Sequence, residues 1–300
     1  MNSGEGRVIR LGTRKSRLAM IQTELAAEAI RHVRPGIRVE IVPLVTTGDR
    51  ILDRALLGVG GKGAFVTEFE NALLEGRIDA AVHSAKDMPA ELMEGLSIAA
   101  VLPREDPRDV LVTVKRQNIR YVPTVIGTGS LRRQVQIRER IPGAVCRLLR
   151  GNVNTRLEKL KSGEYDGIIL AAAGLKRLGL LDDPGYSFEY LPEQEFIPAG
   201  GQGIIAVEGR NGSEFAELFD KINDKTAEIS LRAEREVLRL LGAGCNEAVG
   251  VFSSCENDGF RIRLMKQTET GIVRREVSGS VENYGKLAAE LVEGLSDAEK

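Results

Sequence analysis

The sequence contains no tryptophan, and aromatic residues make up only 4% of its 300 positions. Proteins that bind single-stranded nucleic acid need aromatic side chains on which bases stack. A net charge of −1 supplies no overall field for nucleic acid or an acidic membrane. No run of about 18 apolar residues occurs, and the N-terminal residues lack the apolar core of a secretory signal. We therefore expect a cytoplasmic, monomeric or weakly associating protein without a nucleic-acid or membrane partner.

Cysteine is also scarce, with three residues and no C-x-x-C spacing, so neither a disulfide framework nor a metal site is predicted. Cys146 lies in an apolar strand pattern and is expected in the core, whereas Cys255 suits a surface or edge. Cys245 stands apart because the glycines and small residues of "LGAGCNEAVG" leave its thiol open. A thiol enzyme needs a base oriented on its sulfur, but His83 ends an apolar strand and is expected in the core.

Glycine is abundant, with 33 residues, and predicts many tight turns between strands and helices. Short apolar runs alternate with amphipathic helical patterns, as in α/β domains with largely parallel sheets. Leu102–Asp109, with two prolines and mixed charge, is the predicted linker, and Pro198–Arg210 is predicted to cross back and add a strand to the first sheet. The predicted division is an α/β lobe at 1–102 plus about 200–222, a second α/β lobe at 103–199, and an α+β domain at 223–300.

Cationic and hydroxyl side chains recur where the predicted strands end. Ligands of open α/β sheets bind outside the carboxyl ends of the strands, and the planar fork of arginine matches carboxylates and phosphates. The residues at these ends or at nearby helix starts are Arg14, Ser16, Ser84, Lys86, Asp87, Ser130, Arg132, Arg133, Arg150, Arg156 and Arg177. For any one of these arginines, a solvated surface charge is the competing interpretation.

The segment "GTGSLRR" is the clearest of these sites. Ser130 is predicted to cap a helix whose first turn holds Arg132 and Arg133. Cations are mildly unfavourable there, because the helix dipole places positive charge at the N-terminus. Free backbone N–H groups together with arginines make an anion site, so the segment predicts binding of carboxylates or phosphates.

Asp87 is the carboxylate of the predicted site, in "VHSAKDMP" at the end of a buried strand. Among cationic groups it stays ionised, and it can stabilise a developing cation or accept a proton. The alternative is a structural aspartate that caps a turn. A glycine-rich stretch, Gly58–Glu68, resembles a phosphate loop superficially, but Gly63 follows Lys62 where Walker A requires Ser or Thr. We predict a mobile flap there instead.

Taken in order, the motifs resemble one family. The segments "TRKSRLA", "GGKGAFVTE", "VHSAKDMP", "REDPRD", "GTGSLRRQ", "LRGNVNTRL", "AAAGLKRLG", "PAGGQG" and "GAGC" follow each other as in porphobilinogen deaminases (hydroxymethylbilane synthases). The resemblance runs from about Arg10 to the final helix. It implies two lobes similar to those of periplasmic binding proteins and a third domain that carries a cofactor cysteine.

The resemblance also implies a transferase of porphyrin and haem-type tetrapyrrole biosynthesis. Such enzymes join four porphobilinogen molecules head to tail into hydroxymethylbilane and release ammonia at each addition. Their primer is a dipyrromethane held by a thioether to a cysteine, here Cys245, and their catalytic aspartate falls on Asp87. Because loss of ammonia gives a reactive azafulvene, the thiol needs no histidine. A transient hand-over of product to uroporphyrinogen-III synthase is a further expectation.

Motif positions assign the remaining side chains by the same resemblance, since each pyrrole ring carries an acetate and a propionate. The residues expected to hold the dipyrromethane are Cys245, Lys86, Asp87, Ser130, Arg132 and Arg133. The residues expected to hold the incoming ring or the growing chain are Arg14, Ser16, Arg150, Arg156, Arg177 and Lys62.

Several positions depart from the family pattern, and two other functions compete with it. The departures are Arg17, Gly58, Gly129, Asn246 and Ala248; Gly129 removes one hydroxyl from the primer site. A non-enzymatic solute-binding protein would share the two lobes, but it predicts a secretory signal and leaves Cys245 without a purpose. A regulatory module that binds anions or nucleic acid would need a basic domain.

Overall fold

A computed structural model of the chain describes residues 7–45, 66–115, 122–244, 247–256 and 259–298. The chain forms two compact units. Unit 1 comprises Met1–Glu105 and Ile204–Leu231, and unit 2 comprises Asp106–Gly203 and Arg232–Lys300. The chain thus leaves unit 1 after Glu105 and returns to it after Gly203, within both segments that were predicted to cross. The finer boundaries near 102, 199 and 222 stay predictions.

The elements alternate as the sequence pattern indicates. The strands are β1 (Val8–Arg14), β2 (Arg38–Leu44), β3 (Ala80–Ser84), β4 (Leu96–Val101), β5 (Asp109–Val114), β6 (Val125–Gly127), β7 (Val145–Arg147), β8 (Gly167–Ala171), β9 (Tyr186–Leu191), β10 (Ile205–Arg210), β11 (Val249–Glu256), β12 (Gly259–Thr268) and β13 (Gly271–Gly279). The α-helices are α1 (Arg17–Val33), α2 (Thr67–Leu74), α3 (Leu131–Arg140), α4 (Val153–Lys161), α5 (Ala172–Arg177), α6 (Ala216–Ile222), α7 (Lys225–Leu240) and α8 (Tyr284–Ala298).

The sheet of unit 1 has the order β2-β1-β3-β10-β4 among the described strands. Strand β1 runs parallel to β2 and β3, whereas β10 runs antiparallel to β3 and β4. Ile9 and Leu11 of β1 pack with Ile30 of α1 in a fully buried core. The predicted return of a strand to the first sheet is confirmed by β10.

The sheet of unit 2 has the order β7-β6-β8-β5-β9. Strand β6 is parallel to β7 and β8, and β5 is antiparallel to β8 and β9. Each sheet is thus largely parallel, as predicted, with one strand, β10 or β5, that runs against the others. Strands β5 and β10 are the first strands after the chain passes from unit 1 to unit 2 and back again. Parallel neighbours need a crossover connection such as a helix, and neither strand is joined to its neighbour in that way on entering its sheet.

The C-terminal part is α+β, as predicted. Strands β11, β12 and β13 form an antiparallel sheet, and α8 packs on β12 and β13. Phe252 and Met265 of this sheet are buried with Ile197 and the partly buried Val135 of α3. The sheet is therefore packed on the same helix that carries the "GTGSLRR" arginines.

Two further contacts attach β11 to the segment after β9. The buried Glu234 accepts hydrogen bonds from the backbone N–H of Gly201 (2.6 Å) and of Ser253 (2.8 Å). A Cβ on Gly250 would stand 2.7 Å from the carbonyl oxygen of Ile197, so this position in the cysteine-bearing stretch requires glycine. The part of the chain that follows Cys245 is thereby fixed to unit 2.

Candidate functional site

In unit 1, two predicted site segments lie at one sheet edge. Strands β1 and β3 are parallel neighbours, so Arg14, the last residue of β1, and Lys86, which follows β3, lie at strand ends on the same side of the sheet. Ser16 caps α1, since its side chain accepts a hydrogen bond from the N–H of Ala19. The Gln22 side chain of α1 is hydrogen-bonded to Ser84 Oγ at 2.9 Å, which ties the helix to the end of β3.

Asp87 ends a 3₁₀ turn, Ala85–Asp87, that follows β3 directly. The N–H of Ala85 donates to the carbonyl oxygen of Ile204, and the N–H of Met88 donates to that of Ala85. The backbone of the turn is thus held at both ends. Asp87 itself is exposed and has no side-chain bond to any residue in the described ranges, so its carboxylate faces solvent on a fixed turn. This geometry does not support the alternative of a capping aspartate.

His83 belongs to the core of unit 1, as expected. Its Nε2 lies 3.0 Å from Glu208 Oε2, and both side chains are buried. The ring also packs edge-on against Phe69. A histidine engaged in this way is not available as a base for a thiol.

In unit 2, β6, β7 and β8 are parallel neighbours, and their carboxyl ends carry the "GTGSLRR" and "LRGN" segments. Ser130 caps α3 as predicted, because its Oγ accepts a hydrogen bond from the N–H of Arg133. Gly129 is exposed; a Cβ there would stand 3.3 Å from the carbonyl oxygen of Leu149. A side chain at this position would therefore be crowded against the backbone that follows β7.

The two arginines of this segment are buried and paired with a carboxylate that the sequence analysis did not single out. Arg132 Nη1 donates to Asp109 Oδ2 at 2.8 Å, and Arg133 Nε and Nη2 donate to Asp109 Oδ1 at 3.0 and 2.6 Å. Burial by itself would raise the pKa of Asp109, but the two guanidinium charges outweigh it and hold that pKa far below its usual value. The cluster keeps a net charge of about +1.

Donors remain in this cluster for a ligand. Arg132 also donates from Nη1 to the carbonyl oxygen of Ile197, and Arg133 donates from Nη1 to that of Ile169. Nε and Nη2 of Arg132 have no hydrogen-bond partner among the residues that the structure describes. The interpretation as free surface charges is wrong for both arginines, while their binding of primer carboxylates stays a prediction.

The other predicted arginines of unit 2 differ in what they contact. Arg150 is half-buried, and its buried Nε has no hydrogen-bond partner in the described part of the chain. Arg156 Nε donates to the carbonyl oxygen of Gly151, and Arg177 Nη2 donates to that of Gly203 at 2.7 Å. Arg150 is therefore the residue of this set that most needs an external acceptor.

Two predicted residues, Lys62 and Cys245, lie outside the described residues, so their placement is not compared with the prediction. The chain on both sides of Cys245 is described. Helix α7 ends at Leu240, and Gly242 follows with φ +61°, in the left-handed region that suits a glycine after a helix. A Cβ added to Gly244 would meet nothing within 4 Å.

Sequence reasoning missed Asp109, Gln202 and Glu234, which hold these segments in place. Asp109 was assigned to the linker, whereas it is the first residue of β5 and fully buried. Cys255 is exposed as predicted. Cys146 is only partly buried and packs at the border of the core, because it lies on the edge strand β7.

The fold is thus a pair of α/β units with an attached α+β part, and the strand ends carry cations suited to a ligand with several carboxylates. The family model described as "Porphobilinogen deaminase, dipyromethane cofactor binding domain" matches residues 9–217. The chain belongs to the porphobilinogen deaminase family. Its members are transferases of tetrapyrrole biosynthesis, and their cofactor is a dipyrromethane.

The solved structures that match this chain are remote from it in sequence. The periplasmic VFT2 domain of BvgS from Bordetella pertussis is 14% identical, with a TM-score of 0.43 over 72% of this chain and 86% of that one. YhfZ from Shigella flexneri is 17% identical, with a TM-score of 0.37 over 81% and 99%. The substrate-binding protein of an amino acid ABC transporter is 17% identical, with a TM-score of 0.36 over 79% and 95%.

Of the helices that the structure describes, none has the length and apolar character required to span a bilayer.

Proposed function

We propose that this chain joins four porphobilinogen molecules head to tail into hydroxymethylbilane and releases one ammonia at each addition. The growing chain starts from a dipyrromethane held by a thioether to Cys245. The observation that carries the proposal is the exposed Asp87 carboxylate on its fixed turn, within the residues that match the family model. A monomer in the cytoplasm and hand-over of product to uroporphyrinogen-III synthase are parts of the same proposal.

Two arginines of unit 2 have donors that suit the carboxylates of such ligands. Arg150 Nε is buried without a partner among the described residues, and Arg132 keeps donors beyond those that bind Asp109. An acetate or propionate oxygen would satisfy these groups with charge-assisted hydrogen bonds. When bound, the dipyrromethane supplies the free α-carbon from which the chain grows. Cys245, Lys86, Asp87, Ser130, Arg132 and Arg133 are the residues proposed to hold it.

Asp87 is proposed to act electrostatically. The amino group of the aminomethyl side chain of the incoming porphobilinogen leaves as ammonia, so positive charge develops on that ring and its methylene carbon, which stays, bonds to the free α-carbon of the bound chain. The Asp87 carboxylate would accept hydrogen bonds from pyrrole N–H groups and stabilise the charge as it appears. Arg14, Ser16, Lys62, Arg150, Arg156 and Arg177 are proposed to hold the carboxylates of the same ring or of the growing chain.

The test is consumption of porphobilinogen by the purified protein, with ammonia and hydroxymethylbilane measured together. We expect one ammonia for each porphobilinogen consumed. A protein that binds porphobilinogen without consuming it would be a solute-binding protein, and that result would refute the proposal.

Arg150→Gln is expected to raise the KM for porphobilinogen about tenfold, because one charge-assisted hydrogen bond to a carboxylate is lost. The melting temperature of the ligand-free protein should stay the same or rise, since the variant removes a buried donor without a partner. Arg147→Gln is the matched control, because Arg147 is exposed on the same strand, β7. Steady-state kinetics and thermal melts measure both effects; an unchanged KM would remove Arg150 from the site.

A further inference from the structure

The buried side-chain amide of Gln202 connects the segment that leads out of unit 1 with the segment that leads back to it, and both contacts lie within unit 2. Gln202 lies next to Gly203, the last residue of unit 2 before the chain returns to unit 1. Its side chain is buried, and the residue is only 1% exposed. Its Nε2 donates to the carbonyl oxygen of Pro107 at 2.6 Å and to Asp109 Oδ1 at 3.0 Å. Pro107 lies in the outgoing segment, so Gln202 fixes each segment against the other.

The same amide contacts the carboxylate that holds the arginines. Asp109 Oδ1 accepts hydrogen bonds from Gln202 and from Arg133, and Oδ2 accepts from Arg132. Asp109 is fully buried, and both of its oxygens have donors. A rotation of its carboxylate would therefore move the hydrogen-bond partners of both arginines at once.

We propose that Gln202 is a positioning residue for carboxylate binding by Arg132 and Arg133, and that it acts through Asp109. This inference rests on the proposed function, because it takes the primer as the ligand of the two arginines. An amide suits the position because it donates a hydrogen bond and adds no charge. The cluster thereby keeps its net positive charge for an anionic ligand, whereas an ionised carboxylate at position 202 would cancel that charge.

A merely structural role is the competing explanation, since Gln202 also satisfies the carbonyl oxygen of Pro107. Asn223 provides a matched control in unit 1. Its side chain accepts from the N–H of Val101 at 2.9 Å and donates to Glu228 at 2.6 Å. It thus pairs one backbone group and one carboxylate, as Gln202 does, but it makes no contact with the arginine cluster.

The experiment compares Gln202→Met with Asn223→Leu, each in wild-type and in Cys245→Ser protein. Calorimetry on the Cys245→Ser proteins measures the Kd of porphobilinogen without turnover. We expect Gln202→Met to weaken binding about tenfold, because a hydrogen bond to a charged group is lost. In protein that keeps Cys245, Gln202→Met should raise KM by a larger factor than it lowers kcat. The fraction of molecules whose intact mass includes dipyrromethane should also decrease. Asn223→Leu should lower the melting temperature comparably and leave the Kd unchanged.

Gln202→Glu adds a second readout, the pH dependence of porphobilinogen affinity, which a merely structural role would not change. This variant also replaces Gln202→Met if Gln202→Met does not fold. Burial and the neighbouring Asp109 carboxylate should raise the pKa of the new carboxyl group, because Arg132 and Arg133 are already paired with Asp109 and their opposing effect on that pKa is reduced. When protonated, that group can donate a hydrogen bond to Asp109 as the amide does. The ratio of variant to parent affinity should therefore increase as the pH falls.

The outcomes separate this inference from the proposed function. If the Cys245→Ser parent binds porphobilinogen and Gln202→Met binds it equally well, the positioning role is overturned and the proposed function stands. The positioning role would also be overturned if the ratio of Gln202→Glu affinity to parent affinity for porphobilinogen does not change with pH. If the Cys245→Ser parent binds no porphobilinogen and the protein with Cys245 carries no added mass, both proposals are overturned.

Discussion

Asp87→Asn is expected to lower the turnover of porphobilinogen about a hundredfold or more, the usual cost of removing one group that stabilises charge in a transition state. The fold should survive, because Asp87 is exposed and its side chain has no partner among the described residues. The turn is held by backbone hydrogen bonds at Ala85 and Met88 instead. Asparagine keeps the size of the side chain and removes only its charge.

Glu91→Gln is the control for this variant. Glu91 is another exposed carboxylate, four residues along the chain, and its replacement should leave turnover unchanged. Circular dichroism and thermal melts establish that both variants fold, and a porphobilinogen consumption assay gives the rates. If Asp87→Asn turns over at the wild-type rate, Asp87 has no electrostatic role in the reaction.

Asp109→Asn is expected to reduce the free energy of unfolding by about 3–5 kcal/mol, because removing one partner of a buried ion pair leaves uncompensated charge. Here two guanidinium groups, those of Arg132 and Arg133, lose their common carboxylate. Asp106→Asn is the control: Asp106 pairs with the partly exposed Arg108, and a pair of that kind contributes about 1 kcal/mol or less. Chemical denaturation followed by circular dichroism measures both changes.

The difference in the free energy of unfolding between wild type and Asp109→Asn should also depend on pH. The folded-state pKa of Asp109 is depressed, whereas an aspartate in an unfolded chain titrates near about 4. The contribution of ionised Asp109 is therefore fully present above about pH 4 and is lost as the pH falls toward the folded-state pKa. The gap between wild type and Asp109→Asn should be constant near neutrality and shrink below about pH 4. A gap that grows in acid would contradict this account of the cluster.

Local signals predicted the helix starts and the segments at the strand ends. Ser130 was recognisable as a helix cap because a hydroxyl group precedes the helical pattern, and it caps as expected; Ser16 caps α1 in the same way. The place of Asp87 shortly after a buried strand was predictable from the apolar run that precedes it. These features depend on residues a few positions apart, which a single sequence shows.

Contacts between distant residues were not predictable in the same way. Asp109 lies 23 and 24 residues before its two arginines and 93 before Gln202, and nothing in the local pattern indicates those pairings. The direction of β5 and β10 was missed for a related reason. The apolar pattern of a buried strand is the same in parallel and antiparallel pairing, so the pattern indicates a strand but not its neighbours.

The covalent attachment of the primer is the central claim, and the intact mass of the purified protein tests it most directly. We predict that the wild-type mass exceeds that of the bare chain by two deaminated pyrrole units, and that Cys245→Ser protein has the mass of the bare chain. A folded wild-type preparation with only the bare mass would contradict the account.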